Sequence, residues 1–115
     1  MSKYRTIDIW NKVYGNKESV YDYAGRLMKK SACGNPDSSY HPTLDHVRPL
    51  SADGSDVLGN IIICHRDTNE EKGDNWPHWK ANGKCFRGER VKGKRTDYKI
   101  VELQSEQRKN EKSHS

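Results

Sequence analysis

Apolar residues near the start of the chain recur at helical spacing. Ile7, Trp10 and Tyr14, with Val13 as an alternative to Tyr14, stand three or four positions apart. The pattern predicts one short amphipathic helix within residues 1–15.

A second apolar run, over residues 20–28, shows the same i, i+3/i+4 pattern. It predicts a second helix that begins at Glu18 or Ser19. Asp22 and Arg26 lie four positions apart, a spacing that favours an ion pair on the outer face of such a helix.

The middle of the chain changes to a strand pattern. Residues 43–50 are predicted to be extended, residues 51–55 have turn chemistry, and the β-branched run at 60–64 is the best strand candidate. Asp67 or Thr68 is predicted to cap a short helix that follows. The order is therefore strand, turn, strand, helix.

The C-terminal part is basic and rich in glycine. Residues 80–99 are predicted to form loops with one or two short strands, at 85–86 and 98–101. Residues 104–115 lack apolar residues and are predicted to be a disordered tail. We expect one α+β domain over residues 1–103, with N-terminal helices and a basic, loop-rich C-terminal region.

Composition narrows the class of protein. Apolar residues make up only 31% of 115 residues, so the core must be small. Lys plus Arg number 21 against 16 Asp plus Glu, and the net charge of +5 favours a polyanionic partner. The three cysteines form no C-x-x-C pair, which disfavours a disulfide framework and a structural zinc site. No signal core or membrane span is visible, so we expect a cytoplasmic protein without membrane partners.

The central residues suit the hydrolysis of a phosphodiester bond. This reaction needs a base that activates water and a cation that neutralises the phosphate and the leaving oxygen. His46 is the natural base, and Asp45 and Asn69 supply oxygen ligands for one Mg²⁺ or Mn²⁺ ion. His65, four residues before Asn69, is either a third ligand, which would favour Zn²⁺, Ni²⁺ or Mn²⁺ over Mg²⁺, or a helix-start residue.

Two structural requirements accompany this chemistry. Asn60 can donate and accept hydrogen bonds, so its predicted role is to brace the loop of the hairpin. Asp45 and His46 are neighbours, and neighbours on a regular strand point to opposite faces. The backbone must bend there, or the metal must lie at the edge of the strand.

Cationic residues near this stretch are candidates for phosphate binding. They are Arg48, Arg66 and Lys72 close to the site in sequence, and Lys84, Arg87 and Arg90 in the basic C-terminal region.

Four segments occur in a characteristic order. They are residues 45–51 (DHVRPLS), 53–56 (DGSD), 60–61 (NI) and 68–72 (TNEEK). Together they resemble the HNH endonuclease family, whose ββα-metal motif is a hairpin crossed by a helix with a single divalent ion.

The resemblance implies a role for each residue of the motif. Asp45 and Asn69 would bind the ion, as in HNN variants, His46 would be the general base, and Asn60 would be the structural middle residue. His65 with Asn69 is similar to the helical metal-binding pair of some colicin-like members. The implied ββα-metal core covers residues 43–74.

Our leading hypothesis is a metal-dependent HNH endonuclease from a phage or mobile element, which acts on DNA in the cytoplasm of a bacterial host. RNA is left as an alternative substrate. The alternative class is a catalytically silent HNH scaffold that binds nucleic acid or a larger phage or bacterial protein.

Overall fold

The computed structural model describes residues 2–104, which hold two α-helices and seven β-strands in an α+β arrangement. In chain order these are α1 (Thr6–Tyr14), β1 (Ser19–Tyr21), β2 (Leu27–Lys29), β3 (Pro42–His46), β4 (Ile61–His65), α2 (Arg66–Lys72), β5 (His78–Ala81), β6 (Lys84–Arg90) and β7 (Tyr98–Glu102). The strands pair as two separate hairpins, β1–β2 and β3–β4, and one sheet of order β5-β6-β7, all antiparallel. The predicted tail lies, from residue 105 onward, outside the described residues.

Helix α1 presents its apolar side to a small core. Ile9 and Trp10 are buried, and the indole N–H of Trp10 donates to the carbonyl of Lys17 at 2.9 Å. This core also contains Met28 and Ile63. It therefore joins α1 to strands β2 and β4.

The prediction of a second N-terminal helix is wrong, because residues 19–29 form the β1–β2 hairpin. The Asp22 carboxylate accepts the backbone N–H groups of Ala24 and Arg26, each at 2.9 Å, and Gly25 adopts a positive φ of 88°. An Asp that captures turn N–H groups before a left-handed Gly is turn chemistry that competes with a helix. The predicted Asp22–Arg26 ion pair is replaced by these backbone contacts.

Strands β3 and β4 pair in regular register, with Asp45 opposite Ile62 and His46 opposite Ile61. Helix α2 follows β4 without a connecting loop and packs against β3, β4 and β5. The residue that caps α2 is His65, whose Nδ1 accepts the N–H of Asp67 at 2.9 Å. The predicted caps, Asp67 and Thr68, are therefore wrong.

The region predicted to be loop-rich contains the three-stranded sheet instead. The two predicted short strands fall within β6 and β7, and β5 was not predicted. Trp79 and Phe86 are buried in a second core with Ala24 and Ala81. The sheet therefore packs its apolar side against the turn between β1 and β2.

Among residues 2–104, neither helix has the length and apolar character that crossing a membrane requires.

Candidate active site at the β3–α2 contact

Asp45 lies on β3 with its side chain 15% exposed, beside the ammonium of Lys72. Its Oδ2 is buried and has no hydrogen-bond partner among the described residues, although Lys72 Nζ is 3.3 Å away. Burial raises the pKa of Asp45 above its usual range, against the opposing effects of the Lys72 ammonium and the His46 backbone N–H. A buried carboxylate oxygen that faces an ammonium without a hydrogen bond suits the binding of a cation.

Lys72 is 1% exposed and therefore lies inside the protein rather than on a phosphate-binding surface. Its Nζ donates to the carbonyl of His46 at 3.0 Å and lies 5.0 Å from the centre of the Trp79 ring. It contacts the strand that carries Asp45 and His46, and its contact with nucleic acid stays a prediction. Asn69 and Lys72 are three positions apart in α2, so they lie on the same side of the helix, which faces β3. This spacing is the sequence signal that could have predicted the buried position of Lys72.

His46 ends β3, and its ring contacts Asp56, the last residue of the DGSD segment, to which the sequence analysis gave no role. Nε2 lies 2.8 Å from Oδ1 of Asp56, in the loop between β3 and β4. Oδ2 of Asp56 accepts the backbone N–H of Lys3 at 2.9 Å. The Lys3 N–H, followed by the His46 ring, lowers the pKa of Asp56 to about 2. Asp56 lies in an irregular loop, so its position in the DGSD segment is a sequence signal for it, whereas helical or strand periodicity is not.

The strand register keeps Asp45 and His46 on a regular β-ladder. Their side chains have different partners, since Asp45 contacts Lys72 of α2 and His46 contacts Asp56 of the connecting loop. His46 is the last residue of β3. The pair therefore stands where the strand ends and the loop begins.

Asn69 of α2 lies against the same strand. Its amide Nδ2 donates to Thr43 Oγ1 at 2.9 Å and to the carbonyl of Leu44 at 3.2 Å. Since both of these contacts use the NH₂ group, Oδ1 is left as an acceptor or ligand next to the Leu44–Asp45 peptide.

Asn60 is fully buried and braces the loop between β3 and β4. Its Oδ1 accepts the N–H of Arg48 at 2.9 Å, and its Nδ2 donates to the carbonyls of Arg48 at 3.0 Å and Ser55 at 2.9 Å. The backbone carbonyl of Asn60 also accepts the N–H of Val47. These contacts close the loop directly after His46.

His65 has both ring nitrogens occupied. Nδ1 caps α2 through Asp67, and Nε2 lies 2.6 Å from the carbonyl of Ser39. Its backbone N–H donates to the buried carboxylate of Asp22. A metal ion at His65 would have to displace one of the two ring contacts.

Of the five other cationic residues predicted to contact nucleic acid, Arg90 is the exposed one. The rest are partly buried and make internal contacts: Arg48 with Ala52 and Tyr98, Arg66 with Pro36, Lys84 with Ala24, and Arg87 with Glu89.

Residues 37–78, which contain β3, β4 and α2, match the family model described as HNH endonuclease. Over these residues the chain is similar to HNH endonucleases, and the match supports a nuclease-type function. No curated protein and no solved structure matches the chain.

The donor set for a metal ion is small. Residues 2–104 contain no group of three or more His, Cys, Asp or Glu that suits a metal ion. The fitting donors are the buried Asp45 oxygen and the Asn69 amide oxygen, both hard ligands. Mg²⁺ commonly keeps several waters and takes one or two carboxylates plus substrate phosphate, which is compatible with so few protein ligands.

Proposed function

We propose that this protein is a metal-dependent HNH endonuclease that hydrolyses phosphodiester bonds in DNA. The observation that carries the proposal is the buried Oδ2 of Asp45, which forms an ion pair with Lys72 but no hydrogen bond and stands one residue before His46. The match of residues 37–78 to the HNH endonuclease model supports it.

Each residue has a role in this proposal. His46 accepts the proton of the attacking water, since imidazole is basic enough near neutral pH. Asp45 and Asn69 would hold one divalent ion, Mg²⁺ or Mn²⁺, with Ni²⁺ and Zn²⁺ as alternatives. That ion would neutralise the phosphate and stabilise the leaving oxygen. Asn60 keeps the loop after His46 closed.

His65 enters the proposal as the residue that caps α2. Its two occupied ring nitrogens favour this role over that of a third ligand. The remaining positions around the ion would then be filled by water and phosphate oxygen.

The substrate would approach the basic hairpin of β6 and β7. Arg90, Lys92 and Lys94 are exposed there. The chain after this turn lies against Gly59, since a Cβ on Gly59 would clash with the carboxylate of Asp97. Exposed cations next to the loop that Asn60 braces favour phosphate contacts. We further propose that residues 1–103 act as one domain in the cytoplasm of a bacterial host.

A plasmid-cleavage assay tests the function. Purified protein and its His46→Ala variant are incubated with supercoiled plasmid and Mg²⁺, Mn²⁺, Ni²⁺ or Zn²⁺ in turn. We expect nicked or linear product with at least one ion, and a loss of about a hundredfold or more in the variant. Equal cleavage by both proteins contradicts the role given to His46.

A second candidate function is a silent scaffold that binds nucleic acid or a larger phage or bacterial protein. The Lys72 ammonium beside Asp45 favours it, because a fixed cation there competes with a metal ion. Calorimetric titration with Mn²⁺ separates the two functions. A heat of Mn²⁺ binding that disappears in Asp45→Asn favours the nuclease. A parent protein that shows no heat of Mn²⁺ binding favours the scaffold.

A further inference from the structure

The ring of His46 is held by a carboxylate at one nitrogen. Nε2 lies 2.8 Å from Oδ1 of Asp56, and the His46 side chain is 13% exposed. A carboxylate that is ionised near neutral pH has no proton to donate, so the proton of this hydrogen bond belongs to Nε2. Nδ1 is then the unprotonated nitrogen of the neutral ring.

Asp56 is fixed from its other side. Oδ2 accepts the backbone N–H of Lys3 at 2.9 Å, so the two carboxylate oxygens have different donors. Lys3 precedes α1, and Asp56 lies in the loop between β3 and β4. The contact therefore attaches the N-terminal segment to the residue that holds the candidate base.

Nδ1 of His46 has no hydrogen-bond partner within residues 2–104. A nitrogen that is free and unprotonated is the one that can take a proton from water. An acid that fixes a histidine tautomer so that the other nitrogen acts as base is a known arrangement in hydrolytic sites.

We propose that Asp56 is the positioning residue of the site: it accepts the proton of His46 Nε2, fixes the ring, and leaves Nδ1 as the nitrogen that deprotonates water. This inference rests on the proposed function, since it assigns the atom through which His46 would act. Asp56 touches neither water nor phosphate in this role.

The substitution Asp56→Asn is a sharp probe because it keeps the size of the side chain. Aspartate offers two acceptor oxygens to two donors, Nε2–H of His46 and N–H of Lys3. Asparagine has a single acceptor oxygen, so its NH₂ group must face one of them. Either the contact with Lys3 is lost or His46 is driven toward the Nδ1–H tautomer.

Nitrogen NMR of ¹⁵N-labelled histidine rings, above the ordinary imidazole pKa of about 6.5, reads the tautomer without any need for cleavage. We expect His46 of the parent in the Nε2–H form, and an increased Nδ1–H fraction in Asp56→Asn. A parent ring in the Nδ1–H form overturns the proposal.

Cleavage kinetics give the second readout. In Asp56→Asn we expect kcat to fall by roughly ten- to a thousandfold with little change in KM, because substrate binding does not involve Asp56. Asp53→Asn is the matched control, since Asp53 is exposed in the same loop and its positive φ of 70° suits Asn equally well. A kcat for Asp56→Asn that equals that of Asp53→Asn also overturns the proposal.

The two assays separate this inference from the function on which it rests. If the parent protein cuts no plasmid with any of the ions, the proposed nuclease function fails. The tautomer of His46 in the parent then decides alone whether Asp56 fixes the ring as described.

Discussion

The ammonium of Lys72 lies 3.3 Å from Oδ2 of Asp45 at a position where the lysine side chain is only 1% exposed. The same ammonium donates to the carbonyl of His46, so α2 contacts both central residues of β3 through one side chain. Lys72 therefore compensates a carboxylate whose burial would otherwise disfavour its charge.

Replacement of Lys72 by Met tests this pairing. The variant leaves the Asp45 carboxylate buried without a cation, and we expect a loss of roughly 3–5 kcal/mol in unfolding free energy by urea denaturation. Lys80→Met, at an exposed position of β5, is the control and should change stability little. Adding Asp45→Asn to Lys72→Met should recover part of the loss, since no unpaired buried charge remains. Additive losses in that double variant would contradict the pairing.

Asn60→Asp tests the brace of the loop. Aspartate can still accept the N–H of Arg48, but it cannot donate to the carbonyls of Arg48 and Ser55. Two buried acceptors lose their donor, and we expect destabilisation by roughly 2 kcal/mol or more in urea. The exposed Asn75→Asp gives the effect of the added charge alone. Equal stability of the two variants would rule out the bracing role.

Glu71 provides a prediction about pH. Hydrogen bonds from the Arg26 guanidinium and the backbone N–H of Asn82 lower the pKa of Glu71. A lowered folded pKa means that the stabilisation is complete above the unfolded value of about 4.3 and is lost as the pH falls through the folded value.

The variant Glu71→Gln should therefore be less stable than the parent at pH 7, by roughly 0.5–1 kcal/mol, because the carboxylate is partly exposed. Thermal melts across pH should show this difference shrink below about pH 4 as Glu71 becomes protonated in the folded state. Glu70→Gln, at the exposed neighbouring position, is the control. A difference that persists undiminished in acid argues for a packing effect instead.

The basic hairpin of β6 and β7 gives a prediction about DNA affinity. In a His46→Ala background, which prevents cleavage, the change of Lys92 and Lys94 to Ala should weaken binding of duplex DNA. Each lost phosphate contact should reduce the slope of log affinity against log salt by about 0.9. Lys12 and Lys17, exposed on α1 and just after it, form the control pair. An unchanged salt slope in the hairpin variant would show that these lysines do not contact phosphate.

The sequence alone determined the centre of the molecule. Turn residues, a β-branched run and a charged helix occur in the order that gave the strand–turn–strand–helix interpretation, and local patterns suffice for such short-range pairing. The residue types at 45, 46, 60 and 69 indicated a resemblance to the HNH family, as the family match to residues 37–78 bears out.

Other features required the tertiary structure. Val20 to Met28 has helical spacing, yet Asp22 captures two turn N–H groups and Gly25 takes a positive φ, so a hairpin forms. Residues 80–99 were predicted to be basic loops because their glycines and charged residues hide the alternation of apolar and polar positions that is typical of a strand. The sheet forms because Trp79 and Phe86 pack against the β1–β2 turn.

The partners of the candidate residues were likewise decided in three dimensions. Asp56 is ten positions from His46, and Lys72 is far from Asp45 in sequence, so no local period connects either pair. The loop that Asn60 braces brings Asp56 to His46, and the packing of α2 against β3 brings Lys72 to Asp45. The sequence determines which groups carry the chemistry, and the fold determines which carboxylate or ammonium each of them faces.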